Sequence, residues 1–215
     1  MNSGNPGKNQ RKTHKHIINS PCVFSDIERH EIEDEAYTKG IMSLIFKKKD
    51  KMKIENYRPI TLLETDYKIH TKTVAKKLGR VCQNLIHKDQ AGFVLGRSLF
   101  DYTRLAHLVV DYAEKQEQNG CIISLNQEKA YDKIDHKYLW YILEEYIFPR
   151  EFIKLIKTMY SKSKTSVMIN RVTPAPIKVE RGVLQGDPMS CLLYNLAIEP
   201  LVTALRASTK LKGIK

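Results

Sequence analysis

The chain has 215 residues, of which 42% are apolar, enough for one domain with a hydrophobic core, which argues against wholesale disorder. Its 36 Lys and Arg residues outnumber the 24 Asp and Glu residues by 12, which favours a polyanionic partner, nucleic acid first and an anionic membrane surface second. The four cysteines form no CxxC pair and indicate neither a zinc site nor a disulfide framework. With no signal peptide or membrane-spanning stretch evident, an intracellular location in cytoplasm or nucleus, without membrane association, is expected.

The first 39 residues differ in composition from the rest of the chain. Residues 1–20 contain four basic and no acidic side chains, which predicts a flexible basic tail. Residues 26–35 contain six acidic residues and one Arg or Lys residue, Arg29, a composition typical of a solvated acidic helix or loop. We therefore expect a flexible tail and linker over 1–39 and a single domain over 40–215.

Strands and one long helix are predicted next. Apolar runs at 41–46 and 60–63 flank the basic segment 47–58, which favours two strands joined by a protruding finger. From Tyr67 to Leu85, apolar residues at helical spacing predict a helix. This helix also carries basic residues four apart, which usually mark a solvated face, although the nearby basic finger favours phosphate contact: Lys68, Lys72, Lys76 and Arg80.

The remaining elements alternate between helices and short strands. A helix is predicted from Ser98 to about Gln116, and the apolar run 121–125 is predicted as a buried strand. Helices follow over 135–146 and 151–160, then a hairpin that pairs 166–169 with 177–179, then a helix from Pro188 towards Arg206. This order predicts an α+β fold with a sheet covered by helices on one side.

Two segments combine polar side chains with turn-forming residues. Residues 125–132 join the end of the predicted strand 121–125 to a polar turn, a place where functional side chains often lie. Residues 181–190 contain two glycines and a proline ahead of an apolar helix, which lets backbone amides approach a ligand. Taken alone, the second segment is more often a simple helix start than a nucleotide site.

From about Gly40 to Leu205 the chain resembles, in collinear order, the reverse transcriptase domain of non-LTR (LINE-type) retrotransposons. Five blocks carry the resemblance, and together they are highly specific. They are residues 56–63, residues 66–69, residues 90–93 with 96–98, residues 129–132, and residues 181–182 with 185–190.

The resemblance implies the fingers and part of the palm of a right-hand polymerase, with an RNA template and a DNA primer as partners. Arg58 and Lys68 look like finger residues that contact the triphosphate, and Tyr131 looks like the residue that packs under the sugar. Gln185 and Gly186 match the nucleotide pocket. Further matches to nucleic-acid contacts are Gln90, Gly92, Phe93, Gly96, Arg97, Pro188 and Ser190. Simple structural roles stay open for some of these residues, such as core packing for Phe93 and helix capping for Asp132 or Asp135.

The family's chemistry is nucleotidyl transfer with two Mg²⁺ ions, which require carboxylate ligands. This sequence has Asn126 where the family has its first palm aspartate, and it contains no adjacent Asp-Asp pair. Glu128 and Asp132 are close in sequence but are poor substitutes. The later catalytic hairpin and the thumb are missing from the match. No intact metal site is therefore expected, and Mg²⁺ is not expected to bind productively.

Two further differences from the family's usual sequence also suggest a degenerate copy. Asn170 and Arg171 stand where the family usually has the Asn-Gly of a tight hairpin, and Leu184 stands where a basic or polar residue is usual.

Three interpretations follow from the sequence. The chain is a truncated, degenerate reverse transcriptase without catalysis, a non-catalytic basic RNA- or DNA-binding module, or a pseudogene remnant with no selected activity and an exposed apolar surface. A gene model cut short by an intron or frameshift also stays open.

Overall fold

The computed structural model describes residues 38–117 and 119–210, in a mixed arrangement of helices and strands. The predicted tail and linker lie outside these residues except for Thr38 and Lys39, so the domain boundary near Gly40 stays a prediction. None of the described helices combines the length and apolar character needed to cross a bilayer.

A small mixed sheet is formed by four strands: β1 (Lys39–Phe46), β2 (Tyr57–Leu63), β3 (Lys164–Val167) and β4 (Ile177–Lys178). Their order is β2-β1-β3-β4. The predicted pair of strands is confirmed, because β1 and β2 pair antiparallel from Gly40 opposite Leu63 to Phe46 opposite Tyr57. β1 pairs parallel with β3, and β3 antiparallel with β4. The parallel pair requires a long crossover, which the helices between β2 and β3 provide.

The helices lie close to where the sequence predicts them: α1 (Thr65–Leu85), α2 (Leu99–Lys115), α3 (His136–Glu145), α4 (Arg150–Ser161) and α5 (Ser190–Ala207). Two of the predicted helix starts have a side-chain cap. Ser98 accepts a hydrogen bond from the amide of Phe100, and Asp135 accepts one from that of Tyr138.

The core lies between α1, α3, α4 and α5, and α5 packs against both α1 and α3. Fully buried apolar side chains from three helices meet there: Leu143, Ile156, Met159, Leu193 and Leu196. In α4, the apolar residues recur on one face, so that six residues of this 12-residue helix are buried.

The predicted buried strand at 121–125 is wrong. The segment has no regular secondary structure, and Ile122, Ile123 and Leu125 are all more than 70% exposed. A buried strand needs a neighbour to satisfy its backbone groups, and among the described residues no strand pairs with this segment. Apolar composition alone therefore does not place these residues in the sheet.

The hairpin after α4 turns more tightly than predicted. Ile169 and Val172 exchange two backbone hydrogen bonds of 3.0 and 2.9 Å around Asn170 and Arg171. Both turn residues have positive φ angles, 52° and 65°, as a two-residue hairpin turn of this type requires. The turn therefore forms with arginine in a conformation that glycine adopts more easily.

Candidate functional site

The candidate site is built around two segments far apart in sequence, the turn 129–134 and the loop 181–188. The amide of Gly182 donates to the carbonyl of Ile134 at 2.7 Å, and that of Val183 donates to the carbonyl of Tyr131 at 2.9 Å. Gly182 has a φ of 84°, and a Cβ there would lie 3.0 Å from the backbone of Asp132. The two segments can approach this closely because position 182 has no side chain.

The same loop also contacts strand β2. The amide of Thr61 donates to the carbonyl of Gln185 at 2.8 Å. Gly186 has a φ of 115°, and a Cβ there would lie 2.4 Å from the carbonyl oxygen of Thr61. The Gln185 side chain donates to the Asp132 carboxylate at 3.3 Å. Three of the matched blocks thus meet at one place.

Asp187 is a site residue that the sequence reasoning did not single out. It is only 4% exposed, and its carboxylate accepts hydrogen bonds from the Met189 amide at 3.2 Å and the Ser190 hydroxyl at 3.4 Å. Burial raises its pKa, although these hydrogen bonds and one from Thr71 oppose the shift. An acidic residue just before a helix was the available signal, since such residues commonly cap helices.

Ser190, predicted to contact nucleic acid, is buried, and its hydroxyl lies 3.5 Å from that of Tyr160. Pro188 is half-buried at the start of α5. In this structure the side chain of Ser190 holds α5 and α4 together, and its predicted contact with nucleic acid stays a prediction.

Tyr131 lies against α5. Its hydroxyl donates to Cys191 Sγ at 3.4 Å, and its ring centre lies 5.0 Å from that of Tyr194. Burial raises the pKa of Tyr131, and the contact with Cys191 adds to the shift. Tyr194 in turn donates to the side chain of Gln127 at 2.8 Å. This aromatic pair thereby ties the region next to Asn126 to α5.

Arg58 and Lys68 lie on either side of the junction between β2 and α1. Arg58 is exposed on β2 opposite Ile45, and Lys68 is partly exposed in the first turn of α1. Thr61, which contacts the 181–188 loop, lies between them in sequence. Arg58 therefore lies near the finger-loop end of the hairpin and Lys68 beyond its open end, with Thr61 and the 181–188 loop between them in the chain.

The matched finger block at 90–97 is held against α1 and α5. The Arg97 guanidinium donates to the carbonyls of Gln83, Ile86 and Gln90 at 2.7–3.0 Å, and it also donates to the carbonyl of His87. These carbonyls lie at and just beyond the C-terminus of α1, where a cation is favoured. Arg97 is therefore an anchor in this structure, and its predicted role in binding nucleic acid stays untested.

The other members of this block divide between anchors and exposed residues. Asn195 of α5 accepts a hydrogen bond from the Gln90 side chain at 3.3 Å and donates one to the Gly92 carbonyl at 2.6 Å. Phe93 is 68% exposed with a φ of 58°, so it is not part of the core. Gly96 also has a positive φ, 73°. The ring of Phe93 is thus exposed to solvent. The sequence alone could not show whether Phe93 is exposed or buried in the core.

The finger loop between β1 and β2 presents five exposed lysines, namely Lys47, Lys48, Lys49, Lys51 and Lys53. The loop has internal structure. The Asp50 carboxylate accepts from the Met52 amide at 2.9 Å, and the Asn56 side chain donates to the Asp50 carbonyl at 2.7 Å. The Tyr57 hydroxyl also donates to the Lys51 carbonyl at 2.9 Å. These hydrogen bonds fix the backbone of the loop, so the five lysines are held close together. Less conformational entropy of the loop is then lost when it binds a polyanion.

The side chains near Asn126 do not fit a two-metal centre. Asn126 is exposed in a segment without regular structure and offers only a neutral oxygen. The Glu128 carboxylate pairs with Lys133 at 3.1 Å, and Asp132 accepts from Gln185. Within residues 38–117 and 119–210, no group of three or more His, Cys, Asp or Glu side chains could hold a metal ion. Asn126 lacks the negative charge that Mg²⁺ prefers, and the two nearby carboxylates are engaged by Lys133 and Gln185.

Comparison with known proteins agrees with the motifs. Residues 46–214 match the family described as reverse transcriptase (RNA-dependent DNA polymerase). The chain is 40% identical over 186 residues to the transposon TX1 uncharacterized 149 kDa protein of Xenopus laevis, covering 82% of this chain and 14% of that protein.

Two further relatives come from insects. The chain is 25% identical to the Pol polyprotein of the type-1 retrotransposable element R2 of Nasonia vitripennis, over 87% of this chain and 18% of the relative. It is 26% identical to the RNA-directed DNA polymerase from mobile element jockey of Drosophila funebris, over 74% of this chain and 18% of the relative. The chain thus spans less than a fifth of the length of these three relatives.

The family match covers most of the chain, and it includes the finger loop, strand β2, the 129–134 turn and the 181–188 loop. Members of the family act on a nucleic acid template and primer and use divalent metal ions. The chain belongs to the reverse transcriptase family, and its relatives include proteins of the non-LTR retrotransposons R2 and jockey and of transposon TX1.

Proposed function

We propose that this chain is the fingers and part of the palm of a non-LTR reverse transcriptase, and that it binds nucleic acid without synthesising DNA on its own. The proposal rests on the contrast between the parts of the structure that would bind nucleic acid and the position that would hold a metal ion. The basic finger loop and the glycine loop packed on β2 are formed, whereas the first metal-ligand position is the exposed amide Asn126.

The finger loop supports the binding part of the proposal. Residues 47–58 contain six basic and two acidic side chains, and the five lysines point into solvent from a braced backbone. Cations arranged in this way neutralise phosphates and release counterions, which favours binding without regard to sequence. The exposed ring of Phe93 offers a surface on which a base can stack.

The junction of β2 with the 181–188 loop supports the assignment of a nucleotide pocket. Gly186 lies against Thr61, and Arg58 and Lys68 flank Thr61 in the chain. In the proposal Arg58 and Lys68 attract the triphosphate, while Gln185 and Gly186 shape the pocket. Tyr131, held by Cys191 and Tyr194, forms the surface below the sugar.

The metal donors support the lack of catalysis. Nucleotidyl transfer requires negative oxygens that hold two divalent ions near the primer end and the triphosphate. Asn126 contributes no charge, Glu128 is paired with Lys133, and Asp132 is engaged by Gln185. Binding and positioning are therefore the functions that the described side chains can perform.

Primer extension on an RNA template, with Mg²⁺ and separately with Mn²⁺, tests the proposal. We expect the chain to shift the template–primer in a gel and to add no nucleotides above background. The variant Asn126→Asp is the matched control, and it is expected to remain inactive because one carboxylate does not complete a two-metal site. Nucleotide addition by the unmodified chain would overturn the lack of catalysis, and absence of a gel shift would overturn the binding.

A further inference from the structure

Helix α1 carries a row of four cations spaced four residues apart: Lys68, Lys72, Lys76 and Arg80, the basic row. Lys72, Lys76 and Arg80 are exposed and Lys68 is partly exposed. Residues four apart are neighbours on a helix surface, so the four charges form a continuous row that turns by about 120° around the helix from Lys68 to Arg80. Among the carboxylates whose side chains the structure describes, none forms an ion pair with any of them.

The topology brings the N-terminal part of the chain to the start of this row. β1 begins at Lys39, and Gly40 pairs with Leu63, two residues before α1 starts at Thr65. The chain therefore enters the sheet beside the N-terminus of α1. The acidic segment 26–35 lies immediately upstream of this entry point.

The lengths are compatible with contact along the whole row. Because an extended residue spans about 3.3 Å, the 12 residues from Asp26 to Thr38 reach up to about 40 Å. The row from Lys68 to Arg80 extends about 18 Å along the helix axis. The acidic segment can therefore lie against all four cations.

Charge complementarity selects this segment as the occupant. It contains Asp26, Glu28, Glu31, Glu33, Asp34 and Glu35 against Arg29 alone. Exposed ion pairs are individually weak, but a short tether gives the segment an effective concentration on the order of millimolar. Several weak pairs thus act together without a separate partner molecule.

We propose that the acidic segment 26–35 binds the basic row of α1 and competes there with nucleic acid. The competition rests on the nucleic-acid binding proposed above, whereas the intramolecular contact does not. The segment then acts as an internal polyanion that occupies the row until a nucleic acid strand displaces it. Binding to the finger loop is left free, so the segment weakens the interaction rather than abolishing it.

The competition is tested with a fluorescent 20-nucleotide poly-U RNA at low salt. The variant Glu28→Gln, Glu31→Gln, Glu33→Gln and Glu35→Gln is expected to bind about fivefold more tightly than the natural chain. The matched control neutralises four exposed acids elsewhere: Asp111→Asn, Glu114→Gln, Glu117→Gln and Glu145→Gln. It is expected to change affinity less than twofold. Equal gains in the two variants, or no gain in the first, would overturn the competition.

The contact itself is tested without RNA by carbodiimide cross-linking of the free chain and mass spectrometry. We expect cross-links from residues 26–35 to Lys68, Lys72 or Lys76 that disappear at high salt. Their absence, or equal cross-linking to the finger-loop lysines, would overturn the contact. If no variant binds RNA, the proposed function fails and cross-linking still decides the contact. If the cross-links form but the glutamine variant binds RNA no more tightly than the natural chain, the contact stands and only the competition with RNA is overturned.

Discussion

At the scale of single residues, glycines 182 and 186 bring the site segments together. Each has a φ that L-amino acids rarely adopt, and each lies where a Cβ would meet backbone atoms of another segment. The glycines could be noted in the sequence as candidates for close approach. The segments they contact, at Asp132 and Thr61, could not, because that depends on tertiary packing.

Replacing Gly186 with alanine tests the contact between the 181–188 loop and strand β2. The new Cβ would lie 2.4 Å from the Thr61 carbonyl oxygen at a φ of 115°, so both contact and backbone are strained. We expect Gly186→Ala to lower the free energy of unfolding by about 3 kcal/mol, measured by urea denaturation. Gly120→Ala is the control, because nothing lies within 4 Å of a Cβ there. Equal stability of the two variants would contradict the packing of the loop on β2.

Asp187 gives the structure a specific pH dependence. Because burial raises its pKa in the folded state, the folded chain favours the protonated form. The stability that Asp187 contributes is therefore full below its unfolded pKa and decreases as pH rises through the folded pKa. An asparagine side chain does not titrate, so the Asp187→Asn variant isolates this contribution.

We expect the free energy of unfolding of the natural chain, relative to that of Asp187→Asn, to decrease as the pH rises from about 4, the ordinary pKa of an aspartate, towards neutral pH. Urea denaturation of both proteins across this range measures the difference. A difference that stays constant or increases with pH would show that the hydrogen bonds to Asp187 outweigh its burial.

At the scale of elements, the helices and the antiparallel pairing of β1 with β2 were predictable, whereas the parallel pairing of β1 with β3 was not. Ser98 and Asp135 mark helix starts through local hydrogen bonds, which are encoded within a few residues. The segment 121–125 has the apolar, β-branched composition of a strand, but composition does not specify a neighbour. Arg97 was assigned from its motif, and its contacts with the end of α1 appear only in the folded chain.

The hairpin turn at Asn170 and Arg171 gives a prediction in the stabilising direction. Arg171 has a φ of 65°, which costs energy for a residue with a Cβ. We expect Arg171→Gly to raise the free energy of unfolding by about 1 kcal/mol, measured by thermal or urea denaturation. Arg171→Ala keeps the Cβ and is expected to give no gain. A gain of equal size in both variants would show that the arginine side chain, and not the backbone, is the source of the cost.

Helices α2 and α3 differ in how much they are buried. On α2, Leu99, Leu105, Leu108 and Tyr112 are each between 47% and 66% exposed, whereas Leu143 of α3 is fully buried. We expect Leu143→Ala to destabilise the chain by about 3–4 kcal/mol and Leu108→Ala by less than about 0.5 kcal/mol. Both changes replace leucine by alanine within a helix, so the difference reports burial. A large loss for Leu108→Ala, measured by urea denaturation at low protein concentration, would contradict the exposed face of α2.

At the scale of the whole molecule, the net charge of +12 is concentrated in part on the finger loop and α1. This charge can be counted from the sequence without knowledge of the fold, and it predicts a polyanionic partner. The presentation of the lysines on a braced loop follows from hydrogen bonds of Asp50, Asn56 and Tyr57, which composition does not reveal. We propose that these charges bind nucleic acid and that the neutral amide of Asn126 does not support catalysis.

Binding through the finger loop is tested by the salt dependence of RNA binding, with the triple variant Lys47→Gln, Lys48→Gln and Lys49→Gln as the probe. The control, Lys115→Gln, Lys137→Gln and Lys154→Gln, removes the same charge from exposed positions on α2, α3 and α4. We expect the affinity of the natural chain to fall steeply between about 50 and about 200 mM salt. The finger variant should have a slope of log K against log salt that is shallower by about 2, and the control should keep the natural slope. An affinity that barely changes over this range, or equal slopes in the two variants, would contradict binding through the finger loop.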